Sequence, residues 1–144
     1  MSSNERVLQW EQRWSEARLV TRVRAETAVA RSRLRLAEHN VERARRERSG
    51  KDFDAALIFA EQALINAADA ILARDGFRAG SHVVRFSYPG LPGIYTAQRG
   101  LIDQIRSMRN RAQYDSGGEV GEVFATRALD LATLVTAEVV ALFA

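Results

Sequence analysis

The amino-acid sequence predicts an all-α protein, an up-and-down bundle of helices joined by short connections. Apolar residues recur at spacings of three and four along most of the 144 residues, which is the periodicity of amphipathic helices. Of these residues 47% are hydrophobic, enough to fill the core of one domain. No segment shows the pattern of a strand convincingly, so we expect helices only.

The first periodic segment runs from about residue 4 to residue 48. Trp10 and Trp14 lie one helical turn apart in it, and Ala30, Leu34 and Ala37 continue the spacing. The segment forms either one long helix or two helices with a break near residues 28–33. We expect the tryptophan pair to pack this segment onto the bundle or onto a second chain, in preference to stacking on bases.

The next segment, "FDAALIFAEQALINAADAILARDG", is apolar on almost every side. Such a helix normally lies at the centre of a bundle. Gly50 and Asp52 precede it and suit the end of one helix and the N-cap of the next. Its polar members, Glu61, Asn66 and Asp69, must each find water or a partner inside the bundle.

Three further helices are predicted downstream. Ser81 is placed to cap a short helix over residues 82–86, which the turn sequence "YPGLPG" ends. An amphipathic helix follows over residues 96–114, and the segment "DSGGEVG" breaks it. The last helix covers about residues 119–142.

Composition excludes several kinds of site. The chain has no cysteine, which rules out disulfides and thiolate metal sites, and two histidines, His39 and His82, are too few for a histidine-built metal site. The glycine-rich "GGEVG" follows no strand and precedes no Gly-Lys-Ser/Thr, so it is no phosphate loop. We expect no metal and no cofactor. No signal peptide or membrane span fits the sequence, and we expect a soluble, cytoplasmic protein.

Charge is distributed unevenly along the chain. Twelve arginines and seven glutamates give residues 1–50 a net charge of +5, whereas nine basic and eleven acidic residues give residues 51–144 a net charge of −2. An arginine-rich helical face attracts phosphate backbones. A solvated face is the simpler interpretation, and from the residues alone we favour it.

The segment "RSMRNRAQYD" places a polar cluster at the end of the fourth predicted helix. Positive charges near the C-terminal end of a helix interact favourably with the helix dipole. From residue types alone we therefore favour a structural role for these arginines, as stabilisers of the helix end. On a regular helix Arg109 and Tyr114 are about 140° apart, and Asn110 lies on the side of Tyr114. The two side chains therefore converge only if the helix unwinds at its end or a second subunit completes the site.

The order "FDAALIFAEQALINAADAILARDG", "SHVVRF", "LIDQIRSMRNRAQYD" and "ALDLATLV" resembles the HEPN superfamily, the higher eukaryotes and prokaryotes nucleotide-binding domain. The likeness is closest to minimal prokaryotic forms and covers roughly residues 34–143. It implies an N-terminal amphipathic basic helix over residues 1–33 and a HEPN-like bundle over residues 34–144.

The resemblance implies site residues and partners. HEPN domains usually dimerise, and many are metal-independent ribonucleases marked by an arginine, a polar residue and a histidine four to six positions on. Arg109 and Asn110 match the first two, and Tyr114 stands where the histidine is expected. A polar residue on the second helix of the bundle commonly supports the site, for which Asn66 and Asp69 are the candidates.

Three functions stay open on this basis. The first is a homodimeric RNA endonuclease of the toxin or defence type, with a cognate antitoxin or nucleotidyltransferase as partner. The second is a catalytically silent module that binds RNA, nucleotide or a protein, because an unperturbed tyrosine has a pKa near ~10 and is a poor base at pH 7. The third is a helical adaptor. If Arg109 serves a ligand, Arg109→Ala is expected to leave the melting temperature nearly unchanged.

Overall fold

A computed structural model of the protein describes residues 1–114 and 118–144, and within these ranges it is an all-α bundle, as the sequence predicts. The helices are α1 (Ser3–Ser15), α2 (Thr27–Ser49), α3 (Phe53–Asp75), α4 (His82–Phe86), α5 (Gly93–Ala97), α6 (Arg99–Tyr114) and α7 (Glu122–Leu142). Two short strands accompany them, β1 (Val20–Arg22) and β2 (Phe77–Ala79).

Helix α3 is the central helix, as predicted. It packs against α2, α6 and α7, and most of its apolar residues are buried while none is exposed. Asp52 caps its first turn by accepting a hydrogen bond from the amide of Ala55. By length and composition α3 would be able to cross a membrane, but 67% of its most apolar stretch is buried by the protein itself, as is usual for the core helix of a soluble protein.

The N-terminal segment differs from the prediction. It forms two helices, but the interruption lies at residues 16–26 and not at 28–33, so the predicted domain boundary after residue 33 falls inside α2. Within the interruption β1 pairs antiparallel with β2, with Val20 opposite Ala79 and Arg22 opposite Phe77. The expectation that no strand forms was therefore wrong, because three residues are too few to show an alternating pattern.

Tertiary packing explains why the ladder forms. Gly76 ends α3 in the left-handed conformation with φ 87°, which turns the chain sharply into β2. A Cβ at Gly76 would lie 3.2 Å from the carbonyl oxygen of Val23, the residue after β1, so the chain that leaves β1 passes close to the turn. The first strand thus ties the N-terminal segment to the end of the central helix.

Trp10 fastens α1 to the bundle. Its indole is 5% exposed and lies against the rings of Phe77 and Tyr88, with centroid distances of 5.3 and 4.7 Å. Its Nε1–H donates a hydrogen bond of 3.1 Å to the carbonyl of Val84. Trp14 is half-buried on the same helix. The prediction of packing onto the bundle is confirmed for Trp10, which offers no surface to a second chain, whereas Trp14 packs on the core only in part.

Two connections complete the fold. The helix predicted over residues 96–114 is divided into α5 and α6, and α7 begins at Glu122 instead of residue 119. Residues 115–117 of the predicted break lie outside the described residues. The chain that leads into α7 is held by Asp54 at the start of α3, whose carboxylate accepts hydrogen bonds from the amides of Gly118 and Val120.

Because Trp10 is enclosed, Trp10→Ala should lower the free energy of unfolding by about 3–5 kcal/mol. The matched change Trp14→Ala removes a half-buried ring and should cost clearly less. Urea unfolding followed by far-ultraviolet circular dichroism measures both. Equal effects of the two substitutions would contradict the anchoring role of Trp10.

Candidate functional site

A buried ion pair joins α3 to α6 and defines the candidate site. Nε of Arg109 lies 2.9 Å from Oε1 of Glu61, and the two side chains are 18% and 3% exposed. The N–H bond is not aimed at that oxygen, and Oε2 of Glu61 has no hydrogen-bond partner. The contact is therefore an ion pair with unused hydrogen-bonding capacity on both sides.

The environment of Glu61 makes its charge dependent on the arginines. Burial raises the pKa of the Glu61 carboxyl above its usual value, and the positive charges of Arg109, Arg106 and Arg85 counteract this shift. Glu61 thus carries a charge that burial disfavours and the surrounding guanidinium groups favour. In return it fixes one edge of the Arg109 side chain.

His82, the first residue of α4, lies beside the same arginines. Its Nδ1 is 3.2 Å from Nη1 of Arg106, and because arginine only donates, Nδ1 must be the acceptor. The ring proton then sits on Nε2, 3.6 Å from Oδ1 of Asp103. Burial and the charge of Arg106 lower the pKa of His82 to about 4. His82 is therefore neutral at pH 7 and is a weak base.

A second ion pair and an aromatic floor complete the cluster. Nε of Arg85 donates a 2.8 Å hydrogen bond to Oδ1 of Asp69. Tyr95 of α5 is 1% exposed, stacks on Phe86, and donates its hydroxyl to the carbonyl of Leu64 at 2.9 Å. Burial raises the pKa of the Tyr95 phenol, which stays neutral. The floor holds α4 and α5 against α3.

The structure separates the predicted site residues. Arg109 is largely buried on α6, and Asn110 is exposed beside it. Tyr114 is the last residue of α6, and its side chain lies outside the described part of the structure. Asn66 accepts a 2.8 Å hydrogen bond from Asn40 of α2 and is not in the cluster, whereas Asp69 is brought to it through Arg85.

Glu61 is the residue that sequence reasoning left out of the site. Its signal was present, because a carboxylate in the middle of an almost wholly apolar helix needs a cationic partner. The sequence did not show which of the three polar residues on α3 faces α6. The structure assigns that position to Glu61 and gives Asn66 to α2.

The chemistry of the cluster is that of an anion site more than of a metal or acid–base site. Arg85, Arg106 and Arg109 lie around Glu61 and Asp69, and Asp103 lies beside the neutral imidazole of His82, so three guanidinium groups face three carboxylates. Among the described residues, no group of three acidic or histidine side chains is placed to hold a metal ion. Guanidinium groups held in place by buried carboxylates are suited to binding phosphate oxygens.

The family follows from comparison with known sequences. The sequence model of the HEPN domain matches residues 30–141, most of the chain, and the protein belongs to the HEPN family. The match includes α3, α4 and α6 with Glu61, His82 and Arg109, and excludes α1 and β1. No curated protein and no solved structure matches the chain.

The ion pair changes the expected effect of losing Arg109. Arg109→Gln leaves Glu61 buried without its partner, which should cost about 2–4 kcal/mol, less than for a fully enclosed pair because Arg109 keeps some contact with water. In the variant the pKa of Glu61 rises further above 4.5, the ordinary value that applies in the unfolded chain. As the pH falls, Glu61 is therefore protonated in the folded variant before it is protonated in the unfolded chain, and this stabilises the fold.

The cost of Arg109→Gln should therefore be greatest at neutral pH and shrink as the pH falls towards 4.5, the ordinary pKa of a glutamate. Urea unfolding at several pH values measures it against wild type. Glu61→Gln/Arg109→Gln, which removes both charges, is the control and should be more stable than Arg109→Gln at pH 7. A pH-independent deficit would contradict the pairing.

Proposed function

We propose that this HEPN protein binds RNA as a homodimer, through a phosphate-binding surface centred on Arg109. The observation that supports this most directly is the ion pair with Glu61, which holds a guanidinium in place near the end of α6. Exposed Asn110 lies next to it and offers an amide to a phosphate or a base. The sequence pI of about 9.9 also favours association with a polyanion.

Binding is favoured over histidine-dependent catalysis by the state of the neighbouring groups. Cleavage of RNA through its 2′-hydroxyl needs a proton acceptor with a pKa near neutrality. His82 has a pKa of about 4 and is held between Arg106 and Asp103. His39 is exposed on α2, which packs on α3 and α7. Neither imidazole is placed as a base beside Arg109.

The dimer is proposed because one Arg109 supplies only one fixed guanidinium. The resemblance to HEPN domains implies a dimer, and in such an assembly a second copy of α6 would bring another Arg109–Asn110 pair to the same phosphate backbone. Two fixed guanidinium groups can each bind one of two adjacent phosphates, whereas a single group binds only one. Sedimentation at tens of micromolar tests this, and a monomer contradicts the composite surface.

Glu61→Gln/Arg109→Gln is the sharper test of RNA binding, because it removes the guanidinium without leaving a buried unpaired charge. Its affinity for mixed-sequence single-stranded RNA should fall at least about tenfold, the value of a charge-assisted hydrogen bond. Arg35→Gln, which removes one exposed arginine of α2 away from the site, is the matched control. Fluorescence anisotropy with labelled RNA measures all three proteins. Unchanged affinity in the double variant would give the cluster a purely structural role, as in a helical adaptor.

Metal-independent cleavage is the second candidate function. In its favour, Glu61 contacts Arg109 from the second helix of the bundle, the helix on which the ribonucleases that this chain resembles commonly carry a supporting polar residue. Tyr114→His would supply an imidazole with a pKa near ~6.5. It should raise RNA cleavage in EDTA above wild type, with Tyr114→Phe as the control. Equal cleavage by the three proteins would contradict a catalytic site at this position.

A further inference from the structure

A second basic surface lies on the opposite end of α6, between α1 and α4. It is a groove of about 430 Å³, and its walls include Arg6 and Arg13 of α1, Val83 of α4, and Arg99 at the start of α6. None of the described residues that line it is acidic. We refer to it as the α1 groove. Its α1 wall lies outside residues 30–141, which the HEPN model matches.

The arginines of the α1 groove differ from those around Glu61 in having no carboxylate partner. All three side chains belong to exposed residues. Within the described residues, no ion pair includes Arg6, Arg13 or Arg99. Three uncompensated guanidinium groups around one depression attract an anionic ligand with several charges.

Trp14 gives the groove a stacking surface. The guanidinium of Arg13 lies over the indole, 4.9 Å from its centroid, which is the position of a cation–π contact. Trp10 also borders the groove, but its Nε1–H is committed to the carbonyl of Val84 and its ring is 5% exposed. The half-buried Trp14 is thus the ring open to a ligand, and a base that stacks on it takes the place of the Arg13 guanidinium.

We propose that the α1 groove binds single-stranded RNA, with a base stacked on Trp14 and phosphates held by Arg6 and Arg99. Aromatic rings interleaved with guanidinium groups are the usual means of holding unpaired bases and their phosphates together. An acidic peptide would satisfy the arginines but makes no comparable use of the indole. This inference deepens the proposed RNA binding and rests on it only for the identity of the ligand.

Helix α6 links the α1 groove to the Arg109 site. Arg99 begins α6, and Arg109 lies ten residues further on, a distance of about 15 Å along a helix. Helix α4 also contributes to both, through Val83 in the groove and His82 beside Arg106. Helices α4 and α6 therefore connect the two surfaces within one protomer.

The first experiment tests the charges. Arg6→Gln/Arg99→Gln removes two groove arginines, and Arg35→Gln/Arg46→Gln removes two exposed arginines of α2 as a charge-matched control. Affinity for a labelled single-stranded RNA is measured from low to moderate salt. Each lost phosphate contact lowers the salt slope by about 0.7, so the groove variant should lose about 1.4 and the control almost nothing. Equal losses would mean that bulk charge alone binds RNA, which overturns the inference.

The second experiment tests the stacking ring. RNA should quench the tryptophan fluorescence of wild type, and Trp14→Leu, which keeps Trp10, should abolish the quenching. The same variant should bind RNA about 5- to 100-fold more weakly with an unchanged salt slope. Thermal melting shows that the variant is folded. Quenching that persists in Trp14→Leu would overturn the stacking.

The two sites can fail independently. If Glu61→Gln/Arg109→Gln loses RNA binding and the groove variants do not, the groove inference is wrong and the proposed function stands. The reverse result supports the groove and contradicts the Arg109 surface. If wild type binds no RNA, both are wrong, and a titration with a poly-glutamate peptide then tests whether the groove serves an acidic protein segment instead.

Discussion

Helix α3 is enclosed on nearly every side by α2, α6 and α7, and a polar group on an enclosed helix is costly unless a neighbouring element supplies its partner. Each partner in turn fixes the element that carries it. Glu61 forms an ion pair with Arg109 of α6. Asn66 accepts a hydrogen bond from Asn40 of α2, and Asp69 accepts one from Arg85 of α4. The polar pairs therefore set how the outer helices are placed around the centre, and the candidate site is one result of that constraint.

Much of the fold follows from patterns that the sequence displays openly. The centre of the bundle was predictable because α3 is apolar all round, and the caps at Asp52 and Ser81 were predictable because their side chains bond the backbone a few residues on. The β1–β2 ladder was not, since it depends on a turn at Gly76 and on contacts between residues about sixty positions apart. Such pairing is a tertiary effect that leaves no periodic trace.

The candidate site was predictable in part for a similar reason. Arg109 and Asn110 became candidates because the local order of residues at the end of α6 resembles the HEPN motif, and such a local order can be read without knowing how the helices pack. Which polar residue of α3 meets Arg109 depends on the rotation of one helix against another. Glu61 and Asn66 are separated by about 140° around α3, and only the packed structure shows that Glu61 faces α6 while Asn66 faces α2.

The amide pair between Asn40 and Asn66 has a consequence for how the bundle selects its alignment. Helices α2 and α3 are both 23 residues long, and alanine makes up half of the buried residues of each, so bulky side chains alone constrain their axial offset only in part. A slip of one turn, about 5.4 Å, would part the two amides and strand both away from water. At about 1–3 kcal/mol for each orphaned group, that penalty singles out one offset against its competitors. The Asn40–Asn66 hydrogen bond thus specifies the axial alignment of α2 and α3.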